Sequence, residues 1–426
     1  MPLPLPKTRA EIDAIQRVRR IAAVKNALRA PFHRERLKGI DPEQVNDPAV
    51  WQRIPLLTKD ALRALSFERY MAEFCLAERR DTAEYWRSGG VTGEPLFYPR
   101  TYADLPYCML GFSRTFACIG VGPGDTCHMA LPLGVHPAGH MWARSGEQIG
   151  VGMLWAGAGA STPSAMQLSL IQRLEPTVLL TMPSYALHLA NLAEAQGLDL
   201  ARCSVQKVMC TAEPLSLAKR EKLGRMWGAG VYDCFGMTEA SMMGAESGSS
   251  DGYHIWTDLF HIEVLDPETQ APVPEGAQGM LVVTPLWSFT GTPFLRWSSG
   301  DIVTYRAAGG TGPFAVFPMV RHAHRTAGFF KVRGINLNHA EFEDFMFQAR
   351  EVADFKAELL NNGGLDDFVL SIEVGRGSDG PLVCARIAEQ AKARFELAPK
   401  VVLLERGTLA REFEGAVKAP RFADRR

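Results

Sequence analysis

Apolar residues Ile12, Ile15, Val18, Ile21, Val24 and Leu28 recur three or four positions apart. That spacing predicts amphipathic helix within residues 10–40. In IPLLTKDALRAL, Thr58 is placed to cap a second, short helix. From about residue 103 to 235, helical stretches alternate with the short apolar runs TCHMALPL, GVGMLW, PTVLLTMP and VQKVMCTA. Such alternation predicts βαβ units and a mostly parallel sheet. The texture changes between residues 253 and 306, where HIWTDLFHIEVLD, GMLVVTPL and DIVTYR read as antiparallel strands joined by Pro and Gly turns. After KVRGINLNHAEFEDFMF the chain shifts to charged helices and short strands, VLSIEV and KVVLLE being the clearest. The pattern therefore predicts an α/β protein with a boundary near residue 326. Residues 1–326 form a large N-terminal domain with mixed and parallel sheets plus an antiparallel β subdomain, and residues 327–426 a small α+β C-terminal domain.

Length and composition narrow the classes. The chain has 426 residues, 46% hydrophobic and 22% charged, with a formal net charge of -1. Those proportions suit a folded globular protein with more than one core. The balanced charge argues against nucleic acid as a partner, which calls for a basic excess. No apolar run reaches about eighteen residues, so no membrane partner is expected. The N-terminus lacks the apolar core of a secretory signal, which places the protein in the cytoplasm. The eight cysteines form no CxxC pair and read as reduced, buried thiols.

Five segments carry candidate chemistry. Ser88-Gly89-Gly90-Val91-Thr92-Gly93-Glu94-Pro95 is built of small residues, which leave N–H groups and hydroxyls able to face an anion. It has neither Walker nor dinucleotide spacing, and an ordinary turn is the alternative. Tyr232-Asp233-Cys234-Phe235-Gly236-Met237-Thr238-Glu239 ends in a hydroxyl beside a carboxylate. A carboxylate near phosphates can hold magnesium, which takes one or two protein oxygens. The alternative is a helix start with Thr238 and Glu239 in its first turn. In Arg296-Trp297-Ser298-Ser299-Gly300-Asp301, the acid can accept ribose hydroxyls or bond its own backbone. In Lys331-Val332-Arg333-Gly334 a strand enters a Gly turn at the domain boundary, as a hinge would. Near the chain end, Lys418 is either a solvated surface charge or a cation for a carboxylate–phosphate transition state.

Taken in order, IPLLTKDALR, RSGGVTGEP, MPSYALHLA, TAEPLS, YDCFGMTE, GYHIWTDLFHIEVLDPET, GMLVVTPL, RWSSGD and KVRGINL resemble the blocks of the adenylate-forming superfamily. The likeness is strongest to its phenylacetate–CoA ligase branch and runs over most of the chain. It implies ATP-dependent activation of a small carboxylic acid, aromatic by preference, as acyl-AMP, with CoA as the thiol acceptor. It further implies that Ser88, Gly89, Thr92 and Gly93 line the phosphates of ATP and that Ala212, Glu213 and Pro214 lie along the adenine. Phe235 would stack near the base, Thr238 touch the α-phosphate and Glu239 hold magnesium. Asp301 would bind the ribose with Arg325 assisting, and Lys418 would bridge acid and α-phosphate from a mobile C-terminal domain. The acid pocket would fall between residues 130 and 150 and near residues 212 and 237, which brings in His136 and Met237, with His140 or Trp142 as further candidates. Relatives in this branch are often homodimers, and the resemblance carries that expectation here.

The chain departs from the family pattern at three places. Glu94 stands where the loop usually has a lysine, and His324-Arg325-Thr326-Ala327-Gly328 lacks the usual hinge carboxylates. The segment AAGGTGPFAVF has none of the cysteines that hold zinc in several relatives, so no zinc is expected. A metal at His136/His140 or His322/His324 is disfavoured, Pro137 and Gly139 arguing against a helix that would align the first pair. Two other readings stand beside the CoA ligase. One is transfer of the acyl group to a carrier-protein thiol or an amine in secondary metabolism. The other is a degenerate binding homologue without turnover.

Overall fold

The computed structural model describes residues 2–87, 95–248, 252–310, 312–325, 329–332, 335–362, 365–412 and 420–426. Helices α1 (Arg9–Ala27), α2 (Pro31–Arg36), α3 (Pro48–Gln52), α4 (Lys59–Arg63) and α5 (Phe67–Arg69) open the chain. Thr58 caps α4 through its hydroxyl, which accepts from the Ala61 N–H at 3.2 Å. Strands β1 (Thr82–Arg87) and β2 (Phe97–Thr101) form an antiparallel pair. Then α6 (Leu105–Ile119), β3 (Thr126–Ala130), α7 (Ala138–Gln148), β4 (Gly152–Trp155), α8 (Ser164–Leu174), β5 (Val178–Thr181), α9 (Pro183–Ala195), β6 (Lys207–Thr211) and α10 (Leu217–Trp227) alternate as the apolar runs predict. A run of strands follows: β7 (Gly230–Met237), β8 (Ser241–Ala245), β9 (Tyr253–Ile255), β10 (Phe260–Leu265), β11 (Gln278–Pro285), β12 (Trp297–Arg306) and β13 (Met319–Arg325). The chain ends with β14 (Phe329–Val332), β15 (Ile335–Asn338), α11 (His339–Gln348), β16 (Val352–Asn362), β17 (Leu365–Val374), α12 (Gly380–Phe395), β18 (Lys400–Leu403) and β19 (Phe422–Asp424).

These elements divide into two compact units. The first comprises residues 1–124, 133–152 and 232–325. Its strands run β10-β11-β12-β13-β9-β8-β7, and every pairing recorded between β10 and β13 and between β7 and β9 is antiparallel. The buried helix α6 packs here, and Gly111 has no room for a side chain: a Cβ would lie 2.2 Å from the Met242 carbonyl oxygen on β8. Trp142 of α7 is wholly buried and meets Phe112 and Phe116 of α6 edge-on, which makes it a core residue.

The second unit comprises residues 125–132, 153–231 and 326–426. It holds the run β6-β5-β3-β4, in which β6, β5 and β3 are parallel. Its four-stranded sheet, ordered β18-β17-β16-β19, mixes antiparallel and parallel pairs. Strand β5 reads VLLT and is buried throughout, as expected of a parallel strand covered on both faces. Cores of Phe342, Phe345, Phe355 and Phe395 fix α11 and α12 against that sheet. All eight cysteines are free thiols. No helix among the described residues is long and apolar enough to cross a membrane.

Candidate active site

In the first unit, Thr238 and Glu239 occupy the turn between β7 and β8. A helix start, the plainer reading of that motif, does not form. The chain reverses directly into an antiparallel strand, Gly236 pairing with Met242 and Met237 with Ser241. Ser241 adopts φ 80°, a left-handed conformation that costs a non-glycine residue of order 1–3 kcal/mol and must be held by its surroundings. Its hydroxyl donates to the Cys108 carbonyl at 3.2 Å.

The holding comes largely from β2. Arg100 is wholly buried, and both terminal nitrogens of its guanidinium find acceptors. Nη2 donates to the carbonyl oxygens of Thr238 at 2.8 Å and Glu239 at 2.7 Å. Nη1 donates to the Ser288 carbonyl at 3.2 Å and to Thr292 Oγ1 at 3.1 Å. The Trp86 ring covers the cation at 4.7 Å. Two residues earlier on the same strand face, Tyr98 donates its hydroxyl to Glu239 Oε1 at 2.8 Å. Glu239 Oε2 makes no hydrogen bond to a described residue. The next turn is anchored by Asp104, also wholly buried, whose two oxygens accept the N–H groups of Thr101, Thr290 and Gly291 and the Thr290 hydroxyl.

Phe235, two residues before Met237 on β7, stacks on Tyr253 with centroids 5.2 Å apart. Its other neighbour is His322 of β13, at 6.3 Å. His322 Nε2 lies 3.2 Å from Asp301 Oδ1. Asp301 is 2% exposed and sits on β12 directly across from the backbone of Arg325. The structure thus brings Phe235 and Asp301 together through His322, which the sequence offers only as half of a disfavoured metal pair.

His136 lies just before α7, and its Nδ1 accepts the Ala138 N–H at 3.4 Å. The Arg87 N–H donates to the Val135 carbonyl at 3.0 Å, which ties this segment to β1. A helix does begin at Ala138, with Gly139 inside it and Pro137 tolerated as its cap. His140 is on that helix, His136 is not, and His140 Nε2 faces Glu84 Oε2 at 3.0 Å. Glu84 also accepts from Trp86 Nε1 at 2.7 Å and Arg144 Nη1 at 2.5 Å. Burial by itself pushes this carboxyl up, but the bonds from His140, Trp86 and Arg144 together outweigh it and hold the group at about 2. Met237 is half-buried at the end of β7.

In the second unit, Ala212, Glu213 and Pro214 follow β6. Ala212 takes φ 68°, a left-handed kink at the C-terminal end of a parallel strand, where ligands bind in open α/β sheets. Glu213 Oε2 accepts the Ser184 N–H at 3.1 Å and so caps the first turn of α9. Ser88, Gly89, Thr92, Gly93 and Lys418 lie outside the described residues, as do Glu94 and the hinge residues Thr326, Ala327 and Gly328. Among the described residues no group of three or more His, Cys, Asp or Glu side chains is arranged to hold a metal.

The residues that the motifs pass over are Tyr98, Arg100 and Glu84. Arg100 had a visible signal: an arginine inside the apolar strand FYPRT is either at an edge or buried with a task. Tyr98 had none, since it acts through a partner 141 residues away.

Comparison with known proteins agrees with this geometry. A family model described as AMP-binding enzyme matches residues 37–291. A phenylacetate-coenzyme A ligase of Thermus thermophilus is 29% identical over 379 residues, spanning 87% of this chain and 82% of that protein. One from Escherichia coli (strain K12) is 25% identical over 430 residues, spanning 98% and 95%. Among solved structures, 2-hydroxyisobutyryl-CoA ligase in the postadenylation state, in complex with R3-HIB-AMP, shares the fold with a TM-score of 0.85 at 22% identity. That match covers 100% of this chain and 94% of the other. With more than half its length matched, and with these relatives aligned nearly end to end, the chain belongs to the AMP-binding enzyme family, in the phenylacetate–CoA ligase-like branch of the adenylate-forming superfamily.

Proposed function

We propose that the protein activates a small carboxylic acid, aromatic by preference, with ATP and passes the acyl group to CoA. The observation that carries this reading is the Phe235–His322–Asp301 cluster, which joins an aromatic ring to a deeply buried carboxylate. An aromatic face suits a nucleobase, and a fixed acid suits sugar hydroxyls. Phenylacetate–CoA ligases as relatives support the acid and thiol chemistry. A complex of 2-hydroxyisobutyryl-CoA ligase with acyl-AMP and CoA supports the two-stage order.

The reaction has one main obstacle. A carboxylate must approach an α-phosphate, and both are anions. Lys418 would lie between them and reduce the repulsion, while the Thr238 hydroxyl would donate to the α-phosphate. Backbone N–H groups of Ser88, Gly89, Thr92 and Gly93 would hold the phosphates that leave as pyrophosphate. Ala212, Glu213 and Pro214 would flank the adenine, Phe235 would stack near the base, and Arg325 would assist Asp301 at the ribose. Glu239 fits magnesium: it offers one hydrogen-bonded and one unbonded oxygen, and magnesium takes few protein oxygens and keeps its waters. When bound, the ion supplies charge neutralisation at the phosphates. The CoA thiol would then attack the acyl carbon and AMP would leave. His136 and Met237 would border the acid. Zinc has no part in this reading.

Incubating the protein with ATP, magnesium, CoA and a panel of aryl and short aliphatic acids tests the reading. Mass spectrometry should find AMP and an acyl-CoA for a subset of the aryl acids. AMP without any thioester would replace CoA by a carrier thiol or an amine. A thioester only with aliphatic acids would remove the aromatic preference. His136→Ala should change the order of preference within the panel, and an unchanged order would remove His136 from the pocket.

A further inference from the structure

We infer that Tyr98 is a positioning residue for the metal-binding carboxylate. Its hydroxyl holds one oxygen of Glu239 and leaves the other unbonded for the ion. The inference rests on the reading of Glu239 as the magnesium ligand.

Three observations carry it. Tyr98 is wholly buried, and its ring is fixed edge-on against Phe294 at 5.2 Å. Its hydroxyl can therefore reach Glu239 only from one direction, and the bond to Oε1 is 2.8 Å long. Donation to an ionised carboxylate is charge-assisted and stronger than a neutral bond. Next, the backbone beneath Glu239 is immobilised by the same strand, since Arg100 binds the carbonyls of both Thr238 and Glu239. Strand β2 so restrains the main chain and the side chain of this turn at once. Last, Glu239 Oε2 has no partner among the described residues, whereas Oε1 is bonded. A carboxylate with one oxygen tied and one open is prepared to bind a cation through a single oxygen.

A buried tyrosine hydroxyl needs some partner in any case. What separates a structural bond from a positioning one is its effect on the metal. Partners that orient a ligand typically contribute about 10–100-fold to metal affinity.

The test is calorimetric titration of ATP into the full-length protein, once with excess chelator and once with magnesium. The ratio of the two affinities is the magnesium-dependent gain. Tyr98→Phe keeps the ring and its packing and removes only the hydroxyl. The expected result is a gain reduced about tenfold, with metal-free ATP affinity unchanged. That unchanged affinity also shows that the variant is folded. A gain equal to wild type would overturn the inference and leave Tyr98 as a packing residue. Glu239→Gln separates the two levels of the argument. If it abolishes the gain while Tyr98→Phe does not, only the role of Tyr98 fails. If it preserves the gain, Glu239 is not the ligand and the underlying reading fails first.

Discussion

At the scale of single residues, the account makes Asp301 and Lys418 do different jobs, and the two can be told apart. Asp301 is nearly inaccessible and bonded to His322, and in the proposed reaction it would bind the ribose and stay in place. Asp301→Ala should weaken ATP binding about 10–100-fold, the value of a hydrogen bond to a charged group. Equilibrium titration checks it, and unaltered affinity would remove Asp301 from the nucleotide site. Lys418→Ala should leave ATP affinity nearly intact and slow acyl-AMP formation about 100-fold or more, as loss of a transition-state charge partner does. Reaction of supplied acyl-AMP with CoA should be far less affected. A single-turnover comparison of the two half-reactions decides this. The motifs exposed these two residues because a carboxylate after a Ser-Gly turn and a lysine among small residues are locally conspicuous. They could not expose Tyr98, and only the composition of its strand hinted at Arg100; the meaning of both lies in a turn 138 to 141 positions away.

At the scale of elements, period and punctuation made most of the fold legible. The alternation between residues 103 and 235 does become parallel strands and helices, and the change at residue 253 does become a run of antiparallel strands. What failed was local. Thr238-Glu239 has the composition of a helix start, but β7 and β8 reverse there, because the pairing of Met237 with Ser241 and the grip of Arg100 override a weak preference. Pro137, by contrast, argues only against a helix aligning His136 with His140, and the helix indeed begins after it, at Ala138, which leaves His136 outside. Two element contacts invite tests by denaturant unfolding. Asp104 secures the Thr290-Gly291 turn, where a Cβ on Gly291 would sit 2.4 Å from the Pro99 carbonyl oxygen. Asp104→Ala would leave its buried donors unsatisfied and should cost about 3 kcal/mol or more. Between α10 and α11, Lys219 and Glu343 form a buried pair at 2.5 Å. Burial pushes the Glu343 carboxyl up despite the nearby Lys219. Glu343→Leu alone should cost about 3–5 kcal/mol by stranding the lysine, and adding Lys219→Met should recover most of it. Equal losses in the single and double variants would contradict the pairing as the cause.

At the scale of the whole molecule, buried neutral histidines set an acid limit on stability. His33 is 2% exposed and its Nε2 lies 2.9 Å from the Pro293 carbonyl. Burial pushes this imidazole down to about 4. His128, His254 and His339 shift in the same direction for the same reason. A folded value below that of the unfolded chain means that the unfolded state takes the proton first. Stability is therefore full above about pH 6.5 and declines as the pH falls toward 4. At pH 5 the loss from His33 is about 2 kcal/mol. The thermal midpoint should drop between pH 7.5 and 5.5, and His33→Gln should flatten that slope, whereas an unchanged slope would assign it to other groups. The proposed function requires ATP, acid and magnesium to act together. Exchange of labelled pyrophosphate into ATP, measured without CoA, tests that combined action most directly. The account predicts exchange that depends on an aryl acid and on magnesium. Exchange that ignores the acid, or none with any acid in a protein that still binds ATP, would contradict it.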